Sequence, residues 1–158
     1  MFFINSITLA YYREKVTIPK HKLCIFLEGQ DRSVTTITFD THNRTDESAT
    51  FTSMADNIVA KGITFKVKLQ SMFMLLFFFD ASGRHFFAKC HIEGAAGFIF
   101  GSGQSIYHSC EINVTAGALS SQYPYGYITA QGQGSLDDTS GFVFKGGNLF
   151  GNVRPYLG

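Results

Sequence analysis

The sequence has no tryptophan, three prolines and three cysteines in 158 residues. Cys24, Cys90 and Cys110 stand apart with no Cys-x-x-Cys pair, which excludes the usual zinc spacings. Charged residues make up 16% of the chain, against about 25% in soluble domains, so much of the chain must be buried. A net charge of +1 sets up no long-range field. No basic face for nucleic acid is visible. The short basic cluster at 13–22 contains Glu14 and reads as a solvated edge. No apolar run reaches the roughly 20 residues that span a bilayer, so no membrane partner is expected. The most apolar run, 72–79, reads as a buried strand with the composition of an aggregation-prone segment. Residues 1–9 are apolar but lack a basic start and a cleavage site, so no targeting segment is read there.

What the chain does have is 17 Phe and 16 Gly, arranged as short β-type runs between turn residues. The predicted strands are 14–18, 23–28, 35–39, 49–52, 58–65, 85–92, 98–100, 105–112, 127–130 and 141–144. No window sustains a capped helical pattern, so the chain is predicted to be all-β. An internal repeat refines this. Phe87-Ala88-Lys89-Cys90-His91-Ile92 recurs 20 residues later as Tyr107-His108-Ser109-Cys110-Glu111-Ile112. A weaker copy is Phe144-Lys145-Gly146-Gly147-Asn148-Leu149, with Gly147 at the cysteine position. A β period near 20 predicts a solenoid whose equivalent side chains stack in ladders. Cys90 and Cys110 should then stack in adjacent coils, and residues 116–126 read as an inserted loop. His91 and His108 could face each other across coils, but two histidines do not make a metal site. Asn43 and Asn113 open glycosylation sequons.

Generic chemistry is hard to find. Gly101-Ser102-Gly103-Gln104-Ser105 is not a nucleophile elbow, and Gly132-Gln133-Gly134 reads as a turn. Asp46-Glu47 and Asp137-Asp138 lie in polar turns.

The sharpest local signal is Ile92-Glu93-Gly94-Ala95-Ala96-Gly97-Phe98-Ile99-Phe100-Gly101-Ser102-Gly103-Gln104-Ser105. It closely resembles the signature of plant pectinesterases (pectin methylesterases). Other segments agree in order: Tyr12-Arg13-Glu14-Lys15-Val16-Thr17-Ile18-Pro19, Ser48-Ala49-Thr50-Phe51, Ala60-Lys61-Gly62-Ile63-Thr64-Phe65, Asp80-Ala81-Ser82-Gly83-Arg84-His85-Phe86-Phe87 and Ile128-Thr129-Ala130-Gln131-Gly132. Tyr156-Leu157-Gly158 looks like the start of the coil that carries the family's arginine. The resemblance implies a right-handed parallel β-helix over 1–158 that is incomplete, with a coil absent near 67–71 and the C-terminal coils absent. It implies hydrolysis of galacturonate methyl esters of pectin by a nucleophilic Asp, an acid/base Asp, two oxyanion Gln and an orienting Arg. That chemistry needs no metal or organic cofactor. Pectin is the implied partner, the cell wall the implied location, and a monomer the implied state.

The match also implies losses. The nucleophile position falls on Gly97 and the acid/base position on Leu76, with Leu75 at one oxyanion Gln. No catalytic residue is therefore assigned. Thr45 and Phe100 fall on substrate-contacting positions, although a core role at Phe100 is nearly as plausible from sequence. Asp80 as a substitute acid is disfavoured, because the family already carries an Asp there without that role. Three readings stay open: an inactive family member, an active esterase whose chain is mis-delimited or mis-spliced, and a non-enzymatic pectin-binding module. Cys90 and Cys110 lack the family's partners, and pairing with each other is left open. Uncapped coil edges predict poor solubility for the chain alone.

Overall fold

A computed structural model describes residues 3–7, 10–39, 49–67, 78–95, 97–115, 125–131 and 134–158. All of its regular elements there are strands. The first coil holds β1 (Phe3–Ile7), β2 (Ala10–Arg13) and β3 (Val16–Ile18). The second holds β4 (Ile25–Gly29), β5 (Thr35–Phe39) and β6 (Phe51–Ser53). The third holds β7 (Ile58–Lys61), β8 (Thr64–Val67) and β9 (Phe78–Asp80). The fourth holds β10 (Arg84–Ala88), β11 (His91–Gly94) and β12 (Ile99–Gly101). The fifth runs through β13 (Gln104–Val114), β14 (Tyr125–Tyr127) and β15 (Thr129–Gln131). The last holds β16 (Gly141–Gly151) and β17 (Arg154–Tyr156).

Every strand pair is parallel, and each strand pairs with its counterpart one coil away. A ten-stranded sheet bends round two sides, and a five-stranded sheet, β15-β12-β9-β6-β3, closes the third. This is the parallel β-helix expected from sequence. A parallel sheet needs cover on its faces, and coiling gives each sheet the other two as cover on the inside.

The core is a set of axial ladders. Register makes Leu27, Ala60, Phe87, Tyr107 and Phe144 one row. Phe87, Tyr107 and Phe144 stack at 4.9 Å with ring planes 14° and 16° apart. That spacing equals the distance of about 4.8 Å between adjacent strands, so the backbone sets the aromatic contact. A second row runs Tyr12, Ile37, Phe65, Ile92, Ile112, Leu149. The third side contributes Phe51 and Phe78, stacked at 4.9 Å, with Phe78 edge-on to Phe65 and Phe87. The three walls thus meet in one phenylalanine cluster.

The 20-residue repeat appears in the register, which aligns Phe87 with Tyr107, His91 with Glu111, and Cys110 with Gly147. Cys90 and Cys110 are both buried and both free thiols. Burial pushes the Cys90 thiol well up, so it stays protonated.

Several expectations need correction. The runs 58–65 and 85–92 are each two strands, because the chain turns a corner at Gly62 and at Lys89. Lys89, Ser109 and Gly146 occupy the same corner in three coils, with φ of 51°, 54° and 66°. A left-handed residue there swings the chain from one wall to the next. His91 and His108 do not face each other, since they lie on opposite sides of that corner. His108 aligns with Ala88, and His91 with Glu111. Strands β1 and β2 were not predicted. Residues 68–71, 72–77 and 116–124, along with Asn43 and the Asp46-Glu47 pair, lie outside the described residues.

Phe78 is 1% exposed and touches rings from all three walls. Phe78→Ala is expected to cost about 3–5 kcal/mol, read as a lowered midpoint in urea unfolding.

Candidate functional site

The site implied by the resemblance maps onto the outer row of the five-stranded sheet. Thr17, Thr52, Phe79, Phe100 and Ala130 occupy that row. Alternation explains the placement: Ile99 and Phe78 point inward at 0% and 1% exposure, so Phe100 and Phe79 point the other way. Their rings stack at 4.3 Å, 3° from parallel, and both are half-buried. Phe100 is therefore on the outer face, not in the core. Phe79 was missed from sequence, although its offset of 21 residues from Phe100 matches the repeat period.

Gly97 lies beside this row, just before β12. Its amide donates to the Tyr127 carbonyl at 2.6 Å, and its φ is +55°. A Cβ there would lie 3.1 Å from the Ala130 Cβ. The position thus offers backbone only, in a conformation that favours glycine. No Asp or Glu occupies the row among the described residues. Leu76 and Thr45, the other two expected positions, lie outside the described residues, as does Leu75.

Asp80 sits one residue past Phe79 and points inward, 0% exposed. His85 Nδ1 lies 2.5 Å from its Oδ1, and the Tyr107 hydroxyl donates to Oδ2 at 2.8 Å. His85 Nε2 lies 2.8 Å from the Ala55 carbonyl and 3.0 Å from Ser53 Oγ. Ser105 Oγ lies 3.3 Å from Nδ1. Because a carbonyl only accepts, Nε2 carries a proton. A Cβ at Gly103 would collide with Asp80 Oδ1, so glycine there leaves room for the carboxylate. The trio of Ser, His and Asp types invites a catalytic reading, but it is sealed from solvent and every carboxylate oxygen is taken. It ties three coils together. Asp80→Ala should cost about 3–5 kcal/mol by urea unfolding, because it strands His85 and Tyr107 in the interior.

A second polar feature lies on the β2-β5-β8-β11 wall, a cleft of about 580 Å³ lined by Tyr11, Arg32, Lys66, His91, Glu93 and Glu111 among others. Arg32 meets Glu111 at 2.7 Å, and Lys66 meets Glu93 at 3.0 Å. His91 bridges the two carboxylates, 3.5 Å from Glu93 and 3.3 Å from Glu111. Because the carboxylates lie at opposite ring nitrogens, one ion could not use all three groups. Among the described residues no group of three or more His, Cys, Asp or Glu could hold a metal. The Glu93 carboxylate, with Glu111 behind it, raises the His91 pKa against the effect of burial. His91, with help from Lys66, lowers that of Glu93.

The sign follows from linkage. The His91 contribution is complete below its unfolded value of about 6.5 and is lost as pH rises through the folded value. The Glu93 contribution is present above its unfolded value of about 4.5 and is lost as pH falls through the folded one. The bridge therefore stabilises most between about pH 4.5 and 6.5. Melting temperature against pH should fall on the alkaline side of that window, and His91→Gln should flatten that fall.

Comparison with known proteins agrees with the parallel β-helix fold. The family profile described as Pectinesterase matches residues 76–155. The Arabidopsis thaliana proteins named Probable pectinesterase 55 and Probable pectinesterase 29 are each 38% identical over 99% of this chain, which covers 56% of either relative. The chain thus spans about half the length of these relatives. Among solved structures, pectin methylesterase from carrot aligns over 100% of this chain and 60% of its own, with a TM-score of 0.73 and 23% identity. The pectin methylesterase of Erwinia chrysanthemi aligns over 96% of this chain and 58% of its own, with a TM-score of 0.69 and 21% identity. Another solved pectin methylesterase, with a TM-score of 0.67 and 20% identity over 96% of this chain and 58% of its own, is in complex with a hexasaccharide.

Proposed function

The chain belongs to the pectinesterase family, and from that premise we propose that it engages pectin at the plant cell wall without hydrolysing its methyl esters. The observation that carries this reading is Gly97. The family signature around it is otherwise intact, yet the position from which a carboxylate would attack the ester holds no side chain. Attack requires the reacting atoms to be held about 3–3.5 Å apart. A backbone amide already bonded to Tyr127 cannot supply the nucleophile. The acid/base position falls on Leu76, and the nearest described carboxylate in sequence, Asp80, is buried and fully bonded. When the members of a catalytic unit are lost together, little rate enhancement remains.

The binding half of the reading rests on the Phe79–Phe100 pair. Stacked face to face and half-buried, the two rings present a row of apolar edges on an outer sheet face, against which the C–H groups of a sugar can pack. It stands beside Gly97, where the resemblance places the ester. A hexasaccharide held by a structural relative is consistent with a carbohydrate partner.

Methanol release from methylated pectin is expected to match buffer alone, and a heat-labile release above buffer would overturn the proposal. Gly97→Asp should restore nothing, since it adds one carboxylate in a left-handed backbone conformation against Ala130 and supplies no acid. Retention on immobilised pectin should drop about tenfold, or about 1.4 kcal/mol, in Phe79→Ala/Phe100→Ala. Unchanged retention would remove the binding half.

A further inference from the structure

Strands β14 and β17 form a two-stranded sheet of their own, with Tyr125 opposite Arg154, Gly126 opposite Pro155 and Tyr127 opposite Tyr156. Gly126 is buried, and a Cβ there would collide with Val114. Alternation then turns Tyr125 and Tyr127 outward, with Arg154 and Tyr156 beside them. The three tyrosines are 52%, 55% and 43% exposed, and Arg154 is exposed too. Their rings form one group, with Tyr156 5.8 Å from Tyr125 and 6.1 Å from Tyr127. Strand β14 is held on both sides, by the Gly97 amide on the Tyr127 carbonyl and by β17. Tyr125 and Tyr127 are therefore exposed because they face outward, not because a neighbouring strand is lacking.

The chemistry of this patch differs from that of the Phe79–Phe100 row. Neither strand carries an Asp or Glu, and Arg154 is the one charged residue. Tyrosine rings pack against C–H groups, and their hydroxyls exchange hydrogen bonds. A guanidinium matches a carboxylate through paired donors. C–H groups, hydroxyls and a carboxylate are together the groups of a sugar acid. The row Thr17, Thr52, Phe79, Phe100, Ala130 has no charged member. The two surfaces meet at Gly97, which bonds Tyr127 and would bring a Cβ 3.1 Å from Ala130. We propose that Tyr125, Tyr127, Arg154 and Tyr156 form a second saccharide contact that takes an ionised, unesterified galacturonate unit. This rests on the pectin reading above and adds the state of the carboxyl group. An apolar peptide would use the rings and leave Arg154 idle.

The test measures retention of the whole chain on immobilised polygalacturonate and on the same polymer fully methyl-esterified. Arg154→Gln should weaken retention on the unesterified polymer about fivefold, the scale of an exposed ion pair. It should leave retention on the esterified polymer unchanged, and Arg154→Lys should recover part of the loss. Lys145→Gln, which removes an exposed charge on another wall, should change neither. Tyr125→Ala/Tyr127→Ala should weaken retention on the unesterified polymer about tenfold. Because the chain has no tryptophan, its near-ultraviolet spectrum reports the tyrosines directly. Soluble oligogalacturonate should perturb that spectrum in the unsubstituted chain and not in the double tyrosine variant. Loss in Lys145→Gln equal to that in Arg154→Gln would mean charge attraction without a site, and would overturn the proposal. So would a loss in Arg154→Gln that is equal on both polymers, or unchanged retention in the arginine and tyrosine variants. If those variants bind normally while Phe79→Ala/Phe100→Ala does not, this inference falls and the pectin reading stands. If the unsubstituted chain is retained on neither polymer, both fall. Circular dichroism checks the fold of each variant, and if the tyrosine variant does not fold, Arg154→Gln decides alone.

Discussion

Coil-on-coil stacking at the strand spacing is the constraint from which the other features follow. A single coil of this chain is three short strands with one apolar face, too little to bury itself. Stacking converts sequence offsets of 20 residues (87 to 107) and 37 residues (107 to 144) into direct contact, so Phe87, Tyr107 and Phe144 meet ring to ring. Burial of such side chains contributes roughly 1.5–3 kcal/mol each. The same geometry places like positions over one another on the outside. There it pairs Phe79 with Phe100, and it sets His91 against Glu111.

The two faces of the five-stranded sheet show how strictly alternation divides labour. Phe79, on the outer face, is followed directly by Asp80, at the centre of a sealed hydrogen-bond network. Asp80, the acidic residue next to Phe79, therefore faces the interior, and the strand pleat holds it there. Turning it outward would require a register slip, which would drive Phe79 inward and Phe78 outward. Asp80 therefore cannot be presented at the outer face beside Gly97 without breaking the sheet register.

Much of this was legible in the residues. β-branched and aromatic runs between glycines, and the copies at 87–92, 107–112 and 144–149, gave the solenoid and its register. The signature around Gly97 led to the outer face of the five-stranded sheet, where Phe100 lies. What escaped has physical reasons. The corner at Lys89 is a left-handed backbone on a residue with no glycine signal, so 85–92 read as one strand. The Asp80–His85–Tyr107 network joins residues 5 and 27 apart across coils, and no periodicity announces such a set. Strands β1 and β2 were missed because the partners that order them, β4 and β5, lie more than 20 residues downstream.

The short reach of the register bears on how the chain comes to order during synthesis. Ala60 meets Phe87, Phe87 meets Tyr107, and neither needs anything further downstream. Domains that emerge from the ribosome can organise from the N-terminal side as they lengthen. A solenoid with nearest-neighbour contacts suits that vectorial route, because each newly exposed stretch finds its docking platform already laid down. The growing front is always the most recent coil, so the edge that awaits its next strand moves along the axis in step with synthesis.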